Sequence, residues 1–242
     1  MVNIASDHSA REAYTLQPTK SVIIPIKTCS KTTYDNENWY MNGKSLAKVE
    51  KAPHIGIQRD SKNSTLATIE ENLKKSRRAL YSLMESGLHG ENGLDPATAI
   101  SILRTYVIPI MLYGLETLLP AGRPFDLSER QYKKMIKQIL SLPMNTADPA
   151  IYIISGLMPA EAEIHKRAIN LFGSICRSGN ESTEWQIAER KLSIKNRKSN
   201  SWFIEIRKLF IQYRIDDPYS YLSSPLSKTE WKTLLKKKIN SY

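Results

Sequence analysis

Cysteine, histidine, phenylalanine and acidic residues are all scarce in this 242-residue chain. The two cysteines, Cys29 and Cys176, stand far apart with no pairing or ligand spacing. That excludes a disulfide framework and predicts reduced thiols in an intracellular setting. The histidines His8, His54, His89 and His165 lie at no ligand distance from a cysteine or from each other, so no zinc site is expected. The 24 Asp and Glu are outnumbered by 35 Lys and Arg, giving a formal net charge of +11. This excess favours a polyanionic partner, with nucleic acid ahead of an anionic membrane surface. Long apolar runs are missing. The most apolar stretch, Tyr106 to Leu119, is broken by Pro109, Gly114 and Glu116 and falls short of the roughly 20 residues a membrane span needs. It reads as a buried helix, and no membrane partner is expected. Met1 to Ala10 is polar, with no apolar signal-peptide core. There is no glycine-rich phosphate loop, nucleophile elbow or His-Glu-x-x-His, so an independent kinase or hydrolase, or a small-molecule substrate, is not expected.

What is present is a chain that changes character near residue 60. Its 41% hydrophobic content suffices for a real core, in one or two domains. Ser21 to Ile26 is a short β-branched run, and Pro25 places it at a sheet edge or strand end. Asn42-Gly43, between Trp39–Met41 and Leu46–Val49, suits the positive φ angles of a tight hairpin turn. His54 to Ile57 follows as a further extended piece. Beyond Ser64 the apolar period turns helical, with Leu66, Ile69, Leu73, Leu80 and Leu83 on one face. Asp95-Pro96 starts a second helix, which Pro109 should kink or divide. Asp126 with Glu129 predicts the cap of a third helix. Pro159 opens a fourth, and helical patterns recur at Ser182–Asn196 and Ser201–Tyr213. Ser227 with Glu230 caps the last. Ile194 to Ser201 reads as a polar, basic loop.

Two cationic stripes are the main chemical signal. Lys74, Lys75 and Arg78 fall opposite the apolar face of the first long helix. Arg130, Lys133, Lys134 and Lys137 repeat at i, i+3, i+4 and i+7 on the third. Such stripes on solvent faces can follow a phosphate backbone. On that reading, reversing Lys133, Lys134 and Lys137 together weakens duplex binding without unfolding the chain. The run Lys236-Lys237-Lys238 is a weaker signal of the same kind. Tyr132, Trp202, Phe203 and Trp231 lie on apolar helical faces and read as core, and His165 reads as structural. The adjacent carboxylates Asp216-Asp217 suggest a two-metal polymerase site. However, Tyr213 stands one residue too far upstream and Pro218 follows at once, so they read as a helix-ending turn.

The order of segments resembles the back end of a non-LTR (LINE-type) retrotransposon reverse transcriptase. Tyr14 to Ile23 is similar to the stretch after the catalytic hairpin, and Trp39 to Val49 to the hairpin that follows. Pro53-His54-Ile55-Gly56-Ile57 resembles the primer-grip element, with His54 in place of the usual aromatic residue. Ala79 to Leu83, Tyr106 to Pro109 and Leu112 to Glu116 resemble the helical thumb. Ser201 to Phe203 and Ser227 to Trp231 resemble the extension after it.

The resemblance implies several things. The fold is mainly α, a helical thumb-like bundle with a small N-terminal β-hairpin remnant of the palm. Residues 1–60 form that remnant, 61–180 the thumb-like domain, and 181–242 a helical extension. Lys20 matches a lysine near the incoming nucleotide, a proton donor only in an intact enzyme, and His54, Ile55, Gly56 and Ile57 match the primer grip. The family's metal-binding aspartates would lie upstream of this chain, and Asp7 alone precedes Glu12. The expectation is therefore an RNA-directed DNA polymerase fragment that grips a template–primer duplex (RNA, DNA or hybrid) without catalysing. No cofactor is expected in the fragment, and Mg2+ only in an intact polymerase. The alternatives are a non-catalytic nucleic-acid-binding protein and a helical protein-interaction scaffold.

Overall fold

The computed structural model describes residues 2–26, 38–62, 65–87, 93–196 and 198–239. Cys29 and His89 lie outside them. The chain is mainly helical and divides into two compact units, Met1–Glu71 and Asn72–Tyr242.

The first unit opens with helix α1 (Val2–Arg11) and a 3-10 turn at Pro18–Lys20. Its strands are short: β1 (Val22–Ile23), β2 (Tyr40–Met41), β3 (Lys44–Ser45), β4 (Ala47–Lys48), β5 (Lys51–His54) and β6 (Ile57–Asp60). As the Asn-Gly pair predicts, β2 and β3 form a hairpin turning on Asn42 (φ 50°) and Gly43 (φ 73°). Strand β4 does not extend that hairpin. It pairs in parallel with β1, Val22 opposite Ala47 and Ile23 opposite Lys48. The extended reading of His54–Ile57 is corrected: His54 and Ile57 are the closing pair of the β5–β6 hairpin, and Ile55 (φ 49°) and Gly56 (φ 75°) are its turn. Two positive φ angles in sequence match the twist of the flanking strands. Gly56 adopts such an angle freely, whereas β-branched Ile55 is strained there.

Helix α2 (Leu66–Glu85) carries the boundary between the units. In the second unit, Asp95 caps α3 (Pro96–Ile102), accepting from the Ala97 and Thr98 amides at 3.0 Å. Those hydrogen bonds, Thr98 foremost, hold its carboxyl below the usual range. Pro109 does divide the following stretch. A π-helical turn, Leu103–Val107, precedes α4 (Ile108–Met111), and the Ile108 amide reaches back five residues to the Leu103 carbonyl. The wider turn fits proline, which has no amide to donate and whose ring crowds the carbonyl four residues earlier.

After α5 (Leu115–Leu118), helix α6 spans Arg123–Ile139. The cap expected at Asp126 is corrected: Gly122 occupies that place, Pro124 lies in the first turn, and the Asp126 amide already bonds the Gly122 carbonyl at 3.0 Å. A first-turn proline and a glycine able to take φ 60° outrank a carboxylate three residues later. The rest is α7 (Asp148–Ser155), α8 (Ala160–Arg177), α9 (Thr183–Ile194), α10 (Trp202–Gln212), α11 (Pro218–Ser223) and α12 (Lys228–Ile239). Ser182 accepts from the Trp185 amide at the start of α9. Ser227 and Glu230 exchange amide hydrogen bonds at 3.0 and 3.3 Å, the reciprocal cap the sequence predicts for α12.

Residues on both sides of position 180 share one core, from Ala168 through Phe172 and Phe210 to Trp231 and Ile239. Its aromatic rings meet edge to face: Phe172–Phe210 at 5.5 Å and Tyr221–Trp231 at 5.2 Å. Gly173 of α8 lies directly against the Trp231 indole, and a Cβ there would overlap the ring. Tyr132 and Trp231 are fully buried, and Trp202 and Phe203 pack on the core, as the apolar faces predict. The Trp202 indole donates to the Glu116 carbonyl at 2.8 Å, and the Tyr132 hydroxyl to the Met158 carbonyl at 3.0 Å.

Candidate nucleic-acid interface

Helix α2 sorts its residues cleanly. Ile69, Leu73 and Leu80 are buried, together with Asn72 and Ser76. The Asn72 amide donates to the Met111 and Tyr113 carbonyls, at 3.3 and 2.8 Å. Lys74, Lys75, Arg77 and Arg78 are exposed. Positions 74, 77, 78 and 81 are spaced i, i+3, i+4 and i+7, so Lys74, Arg77, Arg78 and half-exposed Tyr81 share one solvent face. Arg77 stands outside the predicted stripe, although its i+3 spacing from Lys74 was legible. Its Nε donates to the Leu73 carbonyl at 3.2 Å.

The stripe on α6 meets a different environment. Arg130 and Lys134 are exposed. Lys137 is 8% exposed, and its amine donates to the Met144 carbonyl at 2.7 Å. Lys133 contacts Asp148 at 2.7 Å and Glu129 at 3.6 Å. Burial pulls the Lys133 pKa down, but hydrogen bonds and charge from Asp148 and Glu129 hold it above the ordinary value. The predicted solvent face is thus corrected: of its four cations, Lys137 is inside and Lys133 is neutralised. The chain after α6 folds back so that Met144 and α7 cover that side. Reversing Lys133, Lys134 and Lys137 together therefore cannot leave the fold untouched, since it puts a carboxylate where Lys137 is buried.

Helix α12 supplies a stripe the sequence reading passed over. Lys228, Lys232 and Lys236 are exposed and four residues apart, about 6 Å per step along the axis. The i, i+4, i+8 spacing is legible in the sequence, where it overlaps the Lys236-Lys237-Lys238 run. Lys238 is tied back to the Arg214 carbonyl at 2.7 Å.

Lys20 ends its 3-10 turn exposed to solvent. In the β5–β6 hairpin His54, Ile55 and Gly56 are exposed and Ile57 is half-buried, so the primer-grip-like residues are brought together at one hairpin tip. Asp216 and Asp217 diverge. Asp217 accepts from the Tyr219 amide at 2.9 Å, starting α11, and pairs with Arg207 at 3.3 Å, whereas Asp216 faces the Tyr221 hydroxyl at 3.5 Å. The turn therefore ends α10 and caps α11. Among the described residues no group of three His, Cys, Asp or Glu converges as a metal site.

His165 donates to or accepts from the Tyr213 hydroxyl at 2.9 Å, and burial lowers its pKa to about 4. It is a neutral, structural histidine. Cys176 is a buried free thiol whose pKa burial pushes up to about 12, which leaves it unreactive. A cleft of the second unit, about 690 Å³, is lined by Arg104 and Lys166 but also by Glu161 and Glu163. Opposed charges give it no preference for a polyanion. No described helix is long and apolar enough to cross a membrane. The chain matches no family model, no curated protein and no solved structure.

Proposed function

We propose that this chain grips a nucleic-acid duplex by its phosphate backbone, as the palm-end and thumb portion of a reverse transcriptase of the non-LTR retrotransposon type. The observation that carries the reading is the solvent face of α2, where Lys74, Arg77 and Arg78 stand together over a buried opposite face. A rigid helix presenting cations about one turn apart contacts phosphates without reading bases. The family part of the reading is supported by the order of the segments, two hairpins leading into a basic helical unit, with the primer-grip-like residues at one exposed tip. Gripping needs no metal. Mg2+ belongs to the polymerase active site of an intact enzyme, and this reading routes no chemistry through the residues described.

The test is fluorescence anisotropy of an RNA–DNA hybrid duplex against the full chain and the Lys74→Glu/Arg78→Glu variant. Removing two phosphate contacts flattens the log–log salt slope by about 1.4 to 1.8 and lowers affinity at least about tenfold. A folded variant with the parent's affinity and slope excludes α2 as the binding face.

A further inference from the structure

One surface has no place in duplex gripping. On α9 the spacing i, i+3, i+4 and i+7 puts Ile187, Arg190, Lys191 and Ile194 on one side. The opposite side is buried through Ala188 and Leu192. Ile187 is 44% exposed and Ile194 69%. With Lys195, these residues line a shallow concavity of about 300 Å³. None of Arg190, Lys191 and Lys195 forms an ion pair with a described residue.

The helix dipole accounts for cations in the last turn. It does not account for two isoleucines a full heptad apart in water, each flanked by cations. A phosphate backbone has no use for branched aliphatic side chains, so the pattern is not one for nucleic acid. An amphipathic helix laid in a groove uses apolar anchors at this spacing, and flanking charge selects its partner.

We propose that this face of α9 docks an acidic amphipathic helix of a partner protein. Leucine-type anchors would seat over Ile187 and Ile194, and Glu or Asp would meet Arg190, Lys191 and Lys195. The occupant is fixed by charge complementarity: the concavity carries three cations and no carboxylate, and Glu184, the acid of the first helical turn, is not among its lining residues.

The experiment titrates the full chain against a labelled helical peptide with leucines at i, i+3 and i+7 flanked by glutamates. A peptide of the same pattern with lysine for glutamate is the control, alongside single-stranded RNA and vesicles of phosphatidylserine and phosphatidylcholine. The expected result is saturable binding of the glutamate peptide and not of the lysine peptide, with any RNA binding at α2 leaving the peptide in place. Ile187→Asp/Ile194→Asp and, separately, Arg190→Glu/Lys191→Glu should each weaken it at least tenfold. Circular dichroism checks that each variant keeps its helix content, and Ile187→Ser/Ile194→Ser serves if the aspartates unfold the chain. The proposal is overturned if the lysine peptide binds equally, if no peptide binds, or if RNA or vesicles displace the glutamate peptide and lose affinity in Arg190→Glu/Lys191→Glu but not in the isoleucine variants.

Discussion

The two compact units draw on the same amino acids and use them differently. Among the described residues of Met1–Glu71, the buried apolar side chains are Leu46, Ala67 and Ile69. The same unit exposes Ile4, Tyr14, Val22, Ile26, Trp39, Tyr40 and Ile55. Asn72–Tyr242 instead assembles a continuous core in which Phe172, Phe210 and Trp231 are at most 1% exposed. Element length separates them. A helix such as α8 presents a full apolar stripe to its neighbours, whereas strands of two to four residues offer one or two side chains per face. The contrast teaches that hydrophobic content stabilises a unit only where regular structure is long enough to gather it.

The largest consequence should appear in hydrogen exchange. Amides of β1–β6 are expected to exchange faster than those of α8 and α10 by orders of magnitude, since a thinly covered hairpin opens at little free-energy cost. Equal protection in both units would erase the distinction. In the second unit, Phe210→Ala should cost about 3–5 kcal/mol in chemical denaturation. Lys137→Glu should cost several kcal/mol, because it buries an anion against the Met144 carbonyl. Acid should narrow the gap between the units. His165, whose pKa lies near 4 when folded, takes up a proton in the unfolded chain below 6.5. The unfolded state then binds more protons, so stability held above pH 6.5 is lost as pH falls toward 4. A melting temperature that falls as steeply in His165→Gln as in the parent would remove this group from the account. The smallest effect belongs to the hairpin tip. Ile55→Asn should stabilise the β5–β6 turn by up to about 1 kcal/mol, since asparagine tolerates positive φ and the isoleucine side chain is already in water.

Much of the second unit was legible because its signals are local. Asp95 and the Ser227–Glu230 pair cap helices as their spacing predicts, and Pro109 interrupts one. Apolar periodicity also placed Tyr132 and Trp231 inside. The failures share a cause: each depended on what a face meets in space. Periodicity shows that Lys133 and Lys137 share a side of α6, but not that Met144 and Asp148 return to cover it. Nothing local in Lys44–Lys48 tells β4 to leave its hairpin neighbour and lie parallel to β1. At the tip, Ile55 looks like a strand residue, and only the demand of the turn holds it at positive φ. On the candidate interface, the α2 cations are exposed as their periodicity predicts, and the α12 spacing overlaps a run of consecutive lysines.

The close seating of Trp231 on Gly173 has a consequence for synthesis on the ribosome. Helix α8 leaves its groove open until α12 (Lys228–Ile239) has emerged from the ribosome, so Phe172 and Phe210 lack their last cover up to that moment. A chain stopped by a nonsense codon before Trp231 carries that groove permanently, and for such a product the quality-control machinery of the cell sets its abundance.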